Sequence, residues 1–207
     1  MGDVLRDEGD RSGALAAFRR ALAIRETLSA TDPGKARWQR DLSVGHIKIG
    51  DMLRDEGDRS GALVAYRRVL AIRETLAAKD PGNTGWQRDL SVSHTKIGDV
   101  LLAEGDRSGA LAAYRKDLAI AEALAAKDPG NAKWQRDLIL SLMKMSDAEP
   151  EAAKKHLTEA LRIATGLRDS GRLAPVDAWM PEDLERLLAA LGESPARKTK
   201  RKPRPPR

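Results

Sequence analysis

The chain has no cysteine in its 207 residues, so neither a disulfide framework nor thiol chemistry is open to it. No run approaches eighteen apolar residues, and the start, MGDVLRDEGD, carries acids where an export signal needs a basic segment followed by an apolar one. The pattern predicts a soluble, non-exported chain of the cytoplasm. Ligand clusters are lacking too. His46 and His94 occupy equivalent points of neighbouring segments and His156 lies elsewhere. Zinc needs three or four convergent donors, so helix packing is their expected role. The GDRSG strings lack the lysine continuation of a phosphate loop. The Glu-Gly-Asp triplets at 56–58 and 104–106 fall in turns, where capping is a better account than acid–base catalysis. The expectation is a chain with no catalytic site, no metal and no cofactor.

Positive charge is unevenly spread. The formal net charge is +6, but the segment 193–207 alone holds seven Lys or Arg and one Glu. Removing these from the totals of 37 and 31 leaves 30 basic and 30 acidic residues in the rest, so the body is neutral. Arg197, Lys198, Lys200, Arg201, Lys202, Arg204 and Arg207 form a cationic segment that can neutralise phosphates. The segment also has four Pro and no large apolar residue. A basic, Pro-rich, disordered tail is expected over 193–207, with weak and unselective attraction to polyanions such as nucleic acid.

What the chain does have is repetition. WQRDLS at Trp38 returns at Trp86, and WQRDLI begins at Trp134, with 48 residues between copies. GDRSGALAAFRRALAIRE, GDRSGALVAYRRVLAIRE and GDRSGALAAYRKDLAIAE begin at Gly9, Gly57 and Gly105, at the same interval. A period of this size signals stacked supersecondary units that need their neighbours to bury an apolar face.

Each unit reads as a helix pair. In the third copy, Trp86, Leu90, Ile97 and Leu101 make one helical stripe, with His94 on the same side. Ala110, Leu111, Tyr114, Leu118, Ala121, Leu124 and Ala125 make a second. Between them Gly105 can stop the first helix, and Asp106 or Ser108 can cap the next. Asp-Pro-Gly at 32–34, 80–82 and 128–130 closes each unit, because Pro forbids helix continuation and Gly permits the reversal. Gly50 and Gly98 sit within helices at a cost of roughly 1 kcal/mol each relative to alanine. Close approach of the paired helix near Ala62 and Ala110 is the expected return. Trp38, Trp86 and Trp134 begin the first-helix stripe, which favours packing between repeats over an exposed stacking surface.

These residues resemble the tetratricopeptide repeat (TPR) family. A glycine on the first helix is followed after twelve residues by an alanine on the second and after four more by Phe or Tyr. The sets are Gly2, Ala14, Phe18; Gly50, Ala62, Tyr66; and Gly98, Ala110, Tyr114. The resemblance covers most of residues 1–167. It implies an all-α fold, an alpha-alpha superhelix (alpha-solenoid) of antiparallel TPR-like helix pairs, whose concave side binds peptides or proteins. The family repeats every 34 residues, so the 48-residue period adds about four helical turns, shared between the WQRDL and LAIRETLAAKD segments, as in long variants of the family.

The expected organisation is a repeat array over 1–167, with units at about 1–34, 35–82, 83–130 and 131–167, then a loop and capping helix over 168–192, then the tail. The first unit keeps only the last turns of its first helix, as in a fragment of a larger array. Ala17, Ala21 and Ile24 then lose cover. The fourth unit is shortened: Ser146 stands in place of Gly105, and Ala152 and His156 take the alanine and aromatic positions. In MPEDLERLLAALG, Pro181, Glu182 and Asp183 suit a helix start and Gly192 its end.

Carrying the family's geometry over places Ile47, Asp51, Thr95, Asp99 and Leu102 on the inner first-helix face, with Asp3 in the first copy. Some members hold a partner's terminal carboxylate there with Lys and Asn. This chain has Ile47 or Thr95 and Asp51 or Asp99 instead, and an aspartate repels a carboxylate. The expected function is a non-catalytic scaffold for a protein or peptide segment of basic or mixed character. Polyanion binding through the tail, or service as a structural part of a larger protein, are the alternatives.

Overall fold

The computed structural model describes residues 1–192, and the polyanion-binding expectation on Arg197 to Arg207 lies outside the described residues. Among the described residues every regular element is helical and none is a strand. The α-helices are α1 (Gly2–Asp7), α2 (Arg11–Thr31), α3 (Ala36–Asp55), α4 (Arg59–Lys79), α5 (Thr84–Ala103), α6 (Arg107–Lys127), α7 (Ala132–Ala148), α8 (Ala153–Asp169) and α9 (Met180–Gly192), with a 3-10 turn over Pro175–Asp177. No described helix is long and apolar enough to cross a membrane. The chain forms two compact units, one over Met1–Asp128 and one from Pro129 onward. In the first, each helix packs on its predecessor and its successor, a solenoid-like stack of pairs. In the second, α7 packs on α8 and α8 on α9.

The turn inside each pair explains why the GDRSG phrase recurs. After α3, the amide of Gly57 donates to the Arg54 carbonyl at 3.0 Å and that of Asp58 to the Leu53 carbonyl at 2.8 Å. This is the Schellman arrangement, and it needs the left-handed backbone that Gly57 adopts at φ +84°. Asp58 then opens α4, its Oδ1 accepting from the Gly61 amide at 2.8 Å. Asp106 does the same for Gly109 at 2.9 Å. The aspartate is therefore the cap, and Ser108 instead donates its hydroxyl to Asp106. The pairs are also closed at their far ends, where Lys79 and Lys127 donate to the Gly34 and Gly82 carbonyls. Asn83 and Asn131 cap α5 and α7 by accepting from the Trp86 and Trp134 amides.

The core follows the small-residue logic. Ala62, Ala110, Tyr66 and Tyr114 are buried, and Gly50 and Gly98 lie under the two tyrosine rings. A Cβ on Gly50 would stand 2.6 Å from the Tyr66 ring. His46 and His94 are buried among the packed helices. Trp38, Trp86 and Trp134 are only half-buried, and Lys35 Nζ lies 4.1 Å over the Trp38 ring. At the first pair α1 has six residues, so the second half of α2 lacks the cover that α3 and α5 give their partners. Leu28 is 43% exposed, whereas its counterparts Leu76 and Leu124 are 4% and 5%. Ile24 is exposed as expected, while Ala17 and Ala21 keep partial cover.

The fourth pair departs from expectation. Ser146 remains helical, its hydroxyl turned back to the Met143 carbonyl at 2.6 Å, and α7 ends only before Pro150. The buried small-and-large pair of α8 is Ala153 and Leu157, one residue beyond Ala152 and His156. His156 faces Glu149 instead, 3.2 Å away.

Candidate protein-interaction face

The first helices of successive pairs, α1, α3 and α5, are linked by charged rungs. Lys48 of α3 donates to Asp3 Oδ1 of α1 at 2.7 Å. One period later Lys96 of α5 donates to Asp51 Oδ1 of α3 at 2.6 Å. Each lysine also lies over the aromatic ring of the pair it reaches back to, Lys48 5.9 Å from Phe18 and Lys96 5.4 Å from Tyr66. A further rung joins the same two helices near their starts, Arg40 Nε to Asp89 Oδ2 at 2.9 Å.

The aspartates are thereby built into the frame. Asp51 Oδ1 accepts both Lys96 and the Tyr66 hydroxyl, the latter at 2.6 Å. Asp99 accepts the Tyr114 hydroxyl at 2.7 Å. Burial first, and the adjacent Asp51 second, raise the pKa of the Tyr66 hydroxyl far above its ordinary value, so it stays a donor. The bond from Lys48 holds Asp3 below the usual carboxylate range. Asp51 and Lys96 keep 27% and 21% side-chain exposure, so the rung can still be reached from solvent.

Ile47, Asp51, Thr95, Asp99 and Leu102 are each half-buried, and all lie on α3 or α5. The 48-residue register puts Asp51 and Asp99 at equivalent points of α3 and α5, with Ile47 and Thr95 one turn before them. Thr95 donates its hydroxyl within its own helix to the Ser91 carbonyl at 3.3 Å. Lys48 and Lys96 were not singled out from the sequence. Their signal was there: each stands one period less three residues after the aspartate it pairs with.

A different side of α3 lines a cleft of about 490 Å³ between α2 and α4, bounded by Arg19, Leu22, His46, Val64 and Arg68. Burial, reinforced by Arg68, lowers the pKa of His46. Among the described residues no group of three or more His, Cys, Asp or Glu could hold a metal ion.

The pairing of helices, the glycine under each tyrosine and the cap-and-stop turns decide the architecture. The fold is an all-α, TPR-like stack of helix pairs. No protein-family model matches the chain, and no curated protein is significantly similar to it. Among solved structures, two crystal structures of MamA are each 18% identical with a TM-score of 0.38. Each match covers 82% of this chain, and 91% and 97% of those chains respectively. The C-terminal part of a TPR repeat-containing protein from Cytophaga hutchinsonii is 16% identical over 95% of both chains, with a TM-score of 0.25. At these scores the likeness decides nothing about function.

Proposed function

We propose that the chain is a protein-interaction scaffold that holds a peptide or helical segment of basic or mixed character across Ile47, Asp51, Thr95, Asp99 and Leu102. One observation carries this reading: the lysine rungs tie α1, α3 and α5 together, so the half-buried positions of Ile47 and Asp51 on α3 recur on α5 as Thr95 and Asp99. Apolar Ile47 and Leu102 supply area, and Asp51 supplies a carboxylate whose Oδ2 takes no hydrogen bond among the described residues. A cationic side chain of the partner can use that oxygen without breaking the rung.

Panning a displayed peptide library against the chain tests the reading. Enriched peptides should combine apolar residues with Lys or Arg. Their binding should fall for Ile47→Glu and Leu102→Glu, both with unchanged circular dichroism. Equal binding to the parent and both variants would place the partner elsewhere, the Arg19 and Arg68 cleft included.

The charge distribution favours a second reading, polyanion association through residues 193–207, since the rest of the chain is neutral. Removing that segment should abolish salt-sensitive retention on heparin. Unchanged retention and salt dependence would move the site to the helical body.

A further inference from the structure

The cleft over α3 lies on the side of that helix away from Ile47 and Asp51. His46, Ile49 and Leu53 form its floor; standing three and four residues apart, they share one helical face, roughly 150° round α3 from the proposed peptide positions. Arg19 of α2 stands on one wall. Gly61, Val64 and Arg68 of α4, again three and four apart, stand on the other. The enclosed volume of about 490 Å³ falls within the range of about 300 to 1,000 Å³ usual for ligand pockets. Because α4 runs antiparallel to α3, Gly61 lies towards the Leu53 end and Arg68 towards His46, which agrees with the effect of Arg68 on the His46 pKa.

Val64 is where this pair departs from the repeat. The same position is alanine in α2 and α6, Ala16 and Ala112, yet Val64 is the larger residue and is 55% exposed. A single exposed valine is ordinary on its own. Here it shares a cleft with Arg19 and Arg68, two exposed arginines that have no acidic partner among the described residues. The one acid in the lining, Asp58, already accepts from the Gly61 amide at 2.8 Å and the Ser60 hydroxyl at 2.9 Å through its Oδ1. His46 adds no charge near neutral pH, since burial and Arg68 lower its pKa against a smaller opposite pull from Glu26. The cleft is therefore an apolar strip with one unpaired cation on each side.

We infer that this cleft docks an acidic segment of a partner protein, one that lays an apolar side chain against Val64 and Leu53 and carries carboxylates on either side of it. Each carboxylate pairs with its own arginine, one on Arg19 and one on Arg68, so the two cations need not meet at one point. Both guanidinium groups are open to solvent, so pairing needs no opening of the core. A basic segment of the kind proposed for the other side of α3 is repelled here. The two sites select opposite charge, and this one does not rest on that reading.

Chemical-shift titration of the isotope-labelled full chain with the amidated peptide Glu-Glu-Leu-Leu-Glu-Glu, and with Gln-Gln-Leu-Leu-Gln-Gln at matched ionic strength, tests the inference. The acidic peptide should bind more tightly and should move the Gly61 and Val64 amide signals. Arg19→Gln and Arg68→Gln should each weaken it by about two- to fivefold, the scale of one exposed ion pair, and Arg19→Glu with Arg68→Glu should abolish saturable binding. Val64→Ala, which restores the residue of the neighbouring repeats, should weaken it roughly threefold. Arg11→Glu with Arg107→Glu makes the same change in net charge away from the cleft and should leave binding nearly intact. All five positions are exposed, so the helical spectrum should persist in every variant. Four results would overturn the inference: no shift at Gly61 and Val64; equal affinity for the two peptides; an equal loss in the Arg11 and Arg107 variant, which assigns the attraction to net charge; or full binding by the Arg19→Glu, Arg68→Glu variant, which moves the peptide to the basic segment 193–207.

Discussion

Replacing glycine by alanine inside a helix normally stabilises it by about 1 kcal/mol. At Gly50 the sign should reverse. A Cβ there would lie 2.6 Å from Tyr66 Cε1 and 2.9 Å from Cδ1. The ring has little freedom to yield: it is buried, its hydroxyl is held 2.6 Å from Asp51, and Lys96 lies over its face. Overpacking of this kind costs about 1 to 3 kcal/mol, so after the propensity gain a net loss of about 1 kcal/mol is expected for Gly50→Ala. In a chain of this size that corresponds to a fall in melting temperature of roughly 2 to 4 °C.

Two comparisons make the test sharp. Gly166 lies in α8 with no atom within 4 Å of an added Cβ, so Gly166→Ala should raise stability by up to about 1 kcal/mol. In a Tyr66→Leu background the ring is gone, and Gly50→Ala should become neutral or stabilising relative to that background. Melting followed by circular dichroism reads all of these changes. A higher melting temperature for Gly50→Ala alone, or the same loss with and without the Tyr66 ring, would refute the close-approach account.

Burial depresses the His94 pKa to about 4, below the ordinary value near 6.5, so the unfolded chain takes up a proton that the folded chain refuses. Stability should fall as pH drops from about 6.5 towards 4, and His94→Leu, the residue found one period later at Leu142, should flatten that slope in urea titrations at a series of pH values. The Asp106 carboxyl is shifted the other way, down, first by the Gly109 amide and then by the Ser108 hydroxyl. Its contribution is present above the ordinary aspartate pKa and is lost as pH falls through the lower folded value, so Asp106→Asn should remove part of the acid-limb destabilisation below pH 4 and leave the limb near pH 6 unchanged.

The helices, their turns and most of their cores were legible because the same local signals repeat in register: Gly57 and Gly105 stop, Asp58 and Asp106 cap, Ala and Tyr fill. The fourth pair was misread for a local reason. Ser146 occupied the expected stop position, but a serine inside a helix can return its hydroxyl to the preceding turn, whereas Pro150 must end it. The candidate face was legible as positions and not as chemistry. Asp51 and Asp99 could be assigned equivalent positions from the repeat pattern, but that tyrosine hydroxyls would claim both, and Lys96 would also claim Asp51, depends on side chains 15 and 45 residues away.

On the proposed face, the rungs and the residues between them would impose different demands on a partner. Asp3, Asp51 and Asp99 are identical because each belongs to a repeated frame, and Lys48 and Lys96 match them. One turn earlier, by contrast, Ile47 and Thr95 differ at equivalent points. A peptide bound across both helices would therefore meet the same carboxylates but a different side chain beside each, and that difference would fix its direction and register. Exchanging the two, Ile47→Thr with Thr95→Ile, conserves composition and leaves both rungs in place. If the proposed face binds the partner, the exchange should move the preferred large apolar position of an enriched peptide from the α3 side to the α5 side. Binding of the original peptide should weaken by about 1 to 2 kcal/mol, the scale of one or two buried methylene groups. Positional scanning of the peptide against parent and exchanged chains measures this directly. An unchanged preference profile with an intact fold would mean that Ile47 and Thr95 only pack the helices, and that the register of any partner is set elsewhere.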